Sequence, residues 1–149
     1  MNSKNEIKKR YQQLLQDRID VLKDMLEQLT LGAQTDAKGS AGDKHETALA
    51  MMHLEQEKLN AKLQEVLDQK ALIDRIDTSQ NLTKVALGAL VQVNELWLFI
   101  AAALPKITLE DKTIIAVSPH APLGSALMGK EVNFEVVVNG TQYKINHLI

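Results

Sequence analysis

The sequence predicts an α+β protein, an N-terminal antiparallel coiled-coil helical hairpin followed by a small β-domain. Three observations carry that expectation. Apolar residues recur at helical spacing through the first half, which contains no proline. Near residue 80 the vocabulary changes to valine, isoleucine, threonine and glycine, and all three prolines lie beyond it. Of the aromatic residues Tyr11, Trp97, Phe99, Phe134 and Tyr143, only Tyr11 falls in the first half, which must therefore pack on aliphatic side chains.

In the first segment Leu15, Ile19, Leu22, Leu26 and Leu29 step by four and three, an a/d seam, while Gln12, Gln16, Lys23, Asp24 and Glu27 fill the other face. The spacing predicts a helix over residues 5–33. The stretch from Gly32 to Gly42, small and polar with three glycines, reads as a loop. A second helix is expected from Asp43 to about Asp77, roughly 50 Å long at the α-helical rise. Leu59, Leu63, Val66 and Ile73 continue the seam, Lys70 interrupts it, and Leu54, Leu67 and Ile76 widen it. Met51 and Met52 read as seam-filling. Two such seams bury one another only by folding back. The chain thus divides into a hairpin over 1–77, a polar joint over 78–84, and a β-domain over 85–149 that leans on the hairpin's base. Strands are expected at Leu90–Val93, Leu96–Ala102, Lys112–Val117, Glu135–Val138 and Gln142–Ile145, with Asn139-Gly140 as a two-residue hairpin turn. Ser125 to Met128, stopped by Gly129, reads as one helical turn.

Composition narrows the function. The chain has 149 residues, 45% hydrophobic and 24% charged, with a net charge of -2, so bulk charge does not make it a polyanion binder. It has no cysteine, which excludes a disulfide framework, a thiolate zinc site and a thiol nucleophile. The first residues are polar, with no apolar segment behind them. The longest apolar run, Leu96–Leu104, is nine residues, against roughly 20 for a membrane span. A cytoplasmic protein without a membrane partner is expected. No GxGxxG or Walker pattern is present, and Ser118, Ser125 and His120 stand in no nucleophile-elbow context. Lys4, Lys8, Lys9 and Arg10 read as a solvated helix end, with a nucleic-acid or protein contact as the lesser reading.

The start of the second helix carries Gly42-Asp43-Lys44-His45-Glu46. Asp43 and Glu46, three apart, share a face where the helix dipole favours negative charge. Two readings fit. Asp43 is an N-cap with Glu46 completing a capping box, or the two carboxylates are directed at a metal. His45-Glu46 opens like a zincin motif, but Leu49 stands where its second histidine belongs. His45 and His53 are expected to face solvent.

Together these pieces resemble the Gre transcript-cleavage factors of bacterial RNA polymerase. Gly-Asp-x-x-Glu follows the hairpin turn. The second match runs from Ser118-Pro119-His120-Ala121-Pro122-Leu123-Gly124 to Leu127-Met128-Gly129-Lys130, with Tyr143-Lys144-Ile145 near the C-terminus. The resemblance spans the whole chain in order. It implies an FKBP-like C-terminal domain that docks on the polymerase through Ser118, Pro119, Pro122, Leu123 and Gly124. It also implies a hairpin that enters the secondary channel, where Asp43 and Glu46 share a Mg²⁺ with the polymerase active site close to the nascent RNA. Such a protein is an accessory factor, not an enzyme. It holds no tightly bound cofactor and acts as a monomer. The sequence departs from the family where Thr47-Ala48-Leu49-Ala50 replace Asn-Ala-Glu-Tyr and Val132-Asn133 replace Gly-Asp. The lost acidic residue motivates the alternative of a channel-binding modulator or inhibitor that does not stimulate cleavage. Two further alternatives are a prolyl isomerase, which needs a more aromatic pocket, and a plain coiled-coil adapter.

Overall fold

The computed structural model describes residues 3–39 and 43–149, with side chains for 3–32 and 46–149. Two long helices, α1 (Ser3–Gly39) and α2 (Asp43–Asp74), precede six strands: β1 (Leu90–Val93), β2 (Leu96–Ile100), β3 (Ile107–Leu109), β4 (Lys112–Val117), β5 (Glu135–Val138) and β6 (Thr141–Leu148). A short helix, α3 (Pro122–Leu127), lies between β4 and β5. The strands form one sheet in the order β3-β4-β2-β1-β6-β5, parallel only between β2 and β4. The chain separates into two compact units, residues 1–12 with 72–149, and residues 13–71.

In the first unit, alternation along the strands sends side chains to two faces. One face gathers Val91, Val93, Leu98, Ile100 and Ile145 with Leu127 of α3 and with Val85 and Ala89. On the other, Phe99 stacks on Tyr11 of α1, ring centroids 6.2 Å apart. Ile7, Leu90, Trp97 and Ile114 of the same face line a small cavity of about 110 Å³. Tyr11 is fully buried and donates its hydroxyl to the Pro105 carbonyl at 2.8 Å. Burial raises its pKa to about 12. The turns are set by positive-φ residues. Asn139 and Gly140 join β5 to β6 as expected. Asn94 turns β1 into β2, and its amide side chain also bonds to Gln142 and Lys144 of β6.

Lys4 and Lys8 are not the solvated helix end that the sequence suggested. Lys8 donates to the Asp74 and Ile76 carbonyls at 3.1 and 2.7 Å, and Lys4 donates to the Gln80 carbonyl. These cations satisfy carbonyls at and beyond the end of α2, where the helix leaves acceptors unpaired and its dipole is negative. Lys4 is 1% exposed. Burial lowers its pKa, opposed by the charge of Asp77. The Asp77 carboxylate is held below its ordinary range by hydrogen bonds from Ser79, then by Lys8 and Lys4.

The second unit contains α1 from Gln13 onward and α2 as far as Ala71. Leu15, Ile19, Leu22 and Val66 are buried, and Leu26, Leu29, Leu59 and Leu63 are half-buried, as the seam requires. One groove of about 440 Å³ is lined by Asp17, Arg18, Val21 and Leu22 together with Lys62 and Val66. A second, of about 450 Å³, brings Gln28, Leu29 and Gly32 beside Ala48, Met51, Met52 and Glu55. Numbers rising on α1 thus meet numbers falling on α2, so the pair is antiparallel.

Several expectations are corrected. The proposed loop from Gly32 is helical to Gly39, and its residues 40–42 lie outside the described residues. Ala33, Gln34, Ala37 and Lys38 are adequate helix formers, and a glycine costs a helix only about 1 kcal/mol. Helix α2 stops at Asp74 rather than at Asp77. Leu54 and Leu67 do not widen the seam, being 60% and 37% exposed, and Met51, at 67% exposed, does not fill it. Strand β3 was not expected, because its turn to β4 uses Glu110 and Asp111, both at positive φ, in place of an asparagine–glycine signal. Helix α3 starts three residues earlier than expected, with Pro122 in its first turn.

Gly124 in α3 lies against the loop that enters the helix. A Cβ there would collide with the Ser118 carbonyl oxygen and approach Val117 Cγ1 to 3.2 Å. Gly124→Ala is expected to cost about 1–3 kcal/mol through overpacking, seen as a fall of several degrees in thermal melting. For Tyr11→Phe the expected loss is about 1 kcal/mol near neutral pH. The folded pKa of Tyr11 is raised, so its contribution is complete below pH 10 and is lost as pH rises from 10 toward about 12. Melting curves of wild type and variant should therefore converge over that window.

Candidate functional site

Asp43 is the first residue of α2, so Asp43 and Glu46 both stand in the opening turn of a 32-residue helix. That end concentrates partial positive charge from unpaired N–H groups, which steadies negative side chains. Glu46 is exposed. The Asp43 side chain, and with it the capping-box reading, lies outside the described residues, as does the His45 side chain. Thr47, Ala48, Leu49 and Ala50 follow without an acid, and His53 faces solvent as expected. Two carboxylates fall short of the six oxygens that Mg²⁺ takes. Among the described residues no group of three or more His, Asp and Glu side chains is placed to hold a metal ion. The pair can contribute to a cation site only as part of a larger donor set.

The second expected region, Ser118 to Gly124, is a tight turn leading into α3. The Ser118 hydroxyl accepts the His120 N–H at 3.1 Å, and the Ser118 carbonyl accepts the Ala121 N–H at 3.1 Å. Pro122 is exposed, while Ser118, Pro119 and Leu123 are half-buried and Gly124 is buried. Leu123 packs against the core, and Gly124 permits the close approach of Ser118. The segment is therefore a hydrogen-bonded loop whose exposed residues are His120 and Pro122, with Pro119 half-buried beside them. The two regions belong to different compact units.

The aromatic side chains do not converge on one pocket. Phe99 is buried against Tyr11, and the Phe134 ring lies under the Lys130 ammonium, 5.0 Å from its centroid. Trp97 is flanked by the Lys112 ammonium at 4.7 Å and by the edge of His147 at 5.9 Å. Sequence reasoning missed this trio because its members come from β2, β4 and β6 and meet only when those strands lie in one sheet. No helix among the described residues is long and apolar enough to cross a membrane.

No protein-family profile matches the chain, and no curated protein matches it. Among solved structures the chain is similar to the crystal structure of the GreA factor homolog 1 (Gfh1) protein of Thermus thermophilus. Identity there is 15%, covering 93% of this chain and 94% of that one, with a TM-score of 0.36. It is also similar to a structure of the transcription factor Gfh1, at 15% identity over 92% of each chain and a TM-score of 0.35.

Proposed function

We propose that this protein is a Gre-like transcription elongation factor that binds RNA polymerase through its secondary channel. In this reading it stimulates cleavage of backtracked RNA by the polymerase active site and is not itself an enzyme. The observation that carries the reading is an acidic pair in the opening turn of α2, immediately after the connection between two antiparallel helices. Supporting it, a separate unit bears the Ser118–Gly124 loop. Helix α2, at 32 residues, is about 48 Å long, enough to carry charge into a narrow channel.

The chemistry follows from the donor count. Asp43 and Glu46 would offer two carboxylates from one helix turn, and the polymerase would supply the remaining ligands of a shared Mg²⁺. When bound, that ion supplies Lewis acidity to ready a water for attack on a phosphodiester. Helix α2 sets both residues in one opening turn, three positions apart. Pro119 and Pro122 present a stiff docking surface, with Ser118, Leu123 and Gly124 fixing its shape. A second reading is favoured by the acid-free stretch Thr47–Ala50: the hairpin occupies the channel and modulates transcription without promoting cleavage.

The deciding measurement is RNA cleavage in a stalled, backtracked elongation complex made with polymerase from the same organism. Wild type should accelerate cleavage. Asp43→Asn with Glu46→Gln should reduce that acceleration on the order of 10²-fold, the scale of a lost electrostatic stabiliser, while polymerase affinity stays nearly unchanged. Binding without acceleration by the wild type selects the modulator, and absence of binding overturns both readings.

A further inference from the structure

We propose that the cavity between the opening turns of α1 and the sheet binds a small aliphatic monocarboxylate, with the acid group held by Lys112 and His147. The site follows from strand register. Ile114 pairs with Trp97, Trp97 with Gln92, and Gln92 with His147, so the four form one row on one face across β4, β2, β1 and β6. Lys112, two positions before Ile114, shares that face. Ser3 and Ile7 of α1 complete the wall of a cavity of about 110 Å³. None of these residues belongs to either region assigned above.

The floor and the mouth of the cavity differ in chemistry. Ile7, Leu90 and Ile114 are at most 3% exposed and make an apolar floor. Lys112, His147 and Glu110 are exposed and stand at the mouth. The indole of Trp97 organises that mouth, with the Lys112 ammonium 4.7 Å from its centroid and the His147 ring edge-on at 5.9 Å. Among the described residues neither side chain has a hydrogen-bond or ion-pair partner, so their donors are available to a ligand.

These features select the ligand class. Lys112 can only donate, and His147 and Ser3 each carry a proton to donate. A carboxylate answers them, because a hydrogen bond from an ammonium to an anion is the stronger kind. An organic cation is disfavoured, since Lys112 already takes the Trp97 face that would receive it. Inorganic phosphate or sulfate would lose hydration against the apolar floor without compensation. Glu110 repels a second acid group, which favours a monocarboxylate over a dicarboxylate. The volume equals roughly four waters at about 30 Å³ each, room for a short aliphatic stem. It falls well below the roughly 300 Å³ at which sites for drug-sized ligands begin.

Trp97 is the single tryptophan of the chain, so its fluorescence reports on this site. Titration of the full chain with sodium butyrate at constant ionic strength should give a saturable change. Its midpoint should lie on the order of 1 mM, within the ceiling for so small a ligand. Butyramide, n-butylamine and succinate should each bind at least about ten-fold more weakly. Lys112→Met keeps an aliphatic stem beside Trp97 and removes the charge; it should raise the butyrate midpoint about ten-fold without changing thermal melting. Leu109→Phe, which fills the cavity from its half-buried wall while leaving Lys112 in place, should abolish the response. A response that does not saturate overturns the proposal, as does one equally strong with butyramide. So does butyrate binding that survives undiminished in either folded variant.

Discussion

The first unit depends on the seating of the opening turns of α1, residues 3–12, on the sheet. Tyr11 is the central contact, with its ring stacked on Phe99 and its hydroxyl on the Pro105 carbonyl. Around it, Ile7 is buried, Arg10 donates to the Thr108 carbonyl of β3, and Lys4 and Lys8 gather the carbonyls where α2 ends. A β-domain of about 65 residues has little core of its own. One face is served by α3 and the other by these turns of α1. The two ends of the hairpin sequence are thereby tied into the same unit as the strands, since Lys4, Lys8 and Gln12 reach residues 74–80.

The polar contacts of that base explain why it tolerates a buried ammonium. Lys4 loses hydration, but a carbonyl and the nearby Asp77 carboxylate replace it. Asp77 is in turn kept ionised by Ser79. Among the described residues no buried side-chain nitrogen or oxygen lacks a hydrogen bond. Lys8, the neighbour of Lys4, looks like surface charge in the sequence but satisfies the Asp74 and Ile76 carbonyls at the end of α2. Gly88 adds a steric constraint. It is held at φ +88°, and a Cβ there would come within 2.6 Å of Ile76 Cγ2, so the chain leaving α2 lies directly against the entry to β1.

The candidate functional regions are built on contrasting principles. Asp43 and Glu46 are placed by helix geometry alone, three residues apart in an opening turn. Ser118 to Gly124 is shaped by packing, because the missing Cβ of Gly124 lets the Ser118 carbonyl approach. The first was legible from spacing. In the second, the glycine was visible in the sequence, but its reason was not. Its role is to set the loop's shape, while the exposed residues are His120 and Pro122.

By itself the sequence determined what local periodicity and turn chemistry can specify. The heptad steps of Leu15, Ile19 and Leu22 required a helix with a buried seam, and Asn139-Gly140 required a hairpin, since both residues accept positive φ. It misjudged the segment after Gly32, where weak local penalties gave way to helix propagation, and it missed β3, whose turn is made by two acidic residues. Only the tertiary structure decided the destinations of Lys4, Lys8 and Arg10 and the meeting of Trp97 with Lys112 and His147. Those outcomes depend on contacts between residues tens of positions apart, and a local pattern carries no record of which distant backbone carbonyl will need a donor.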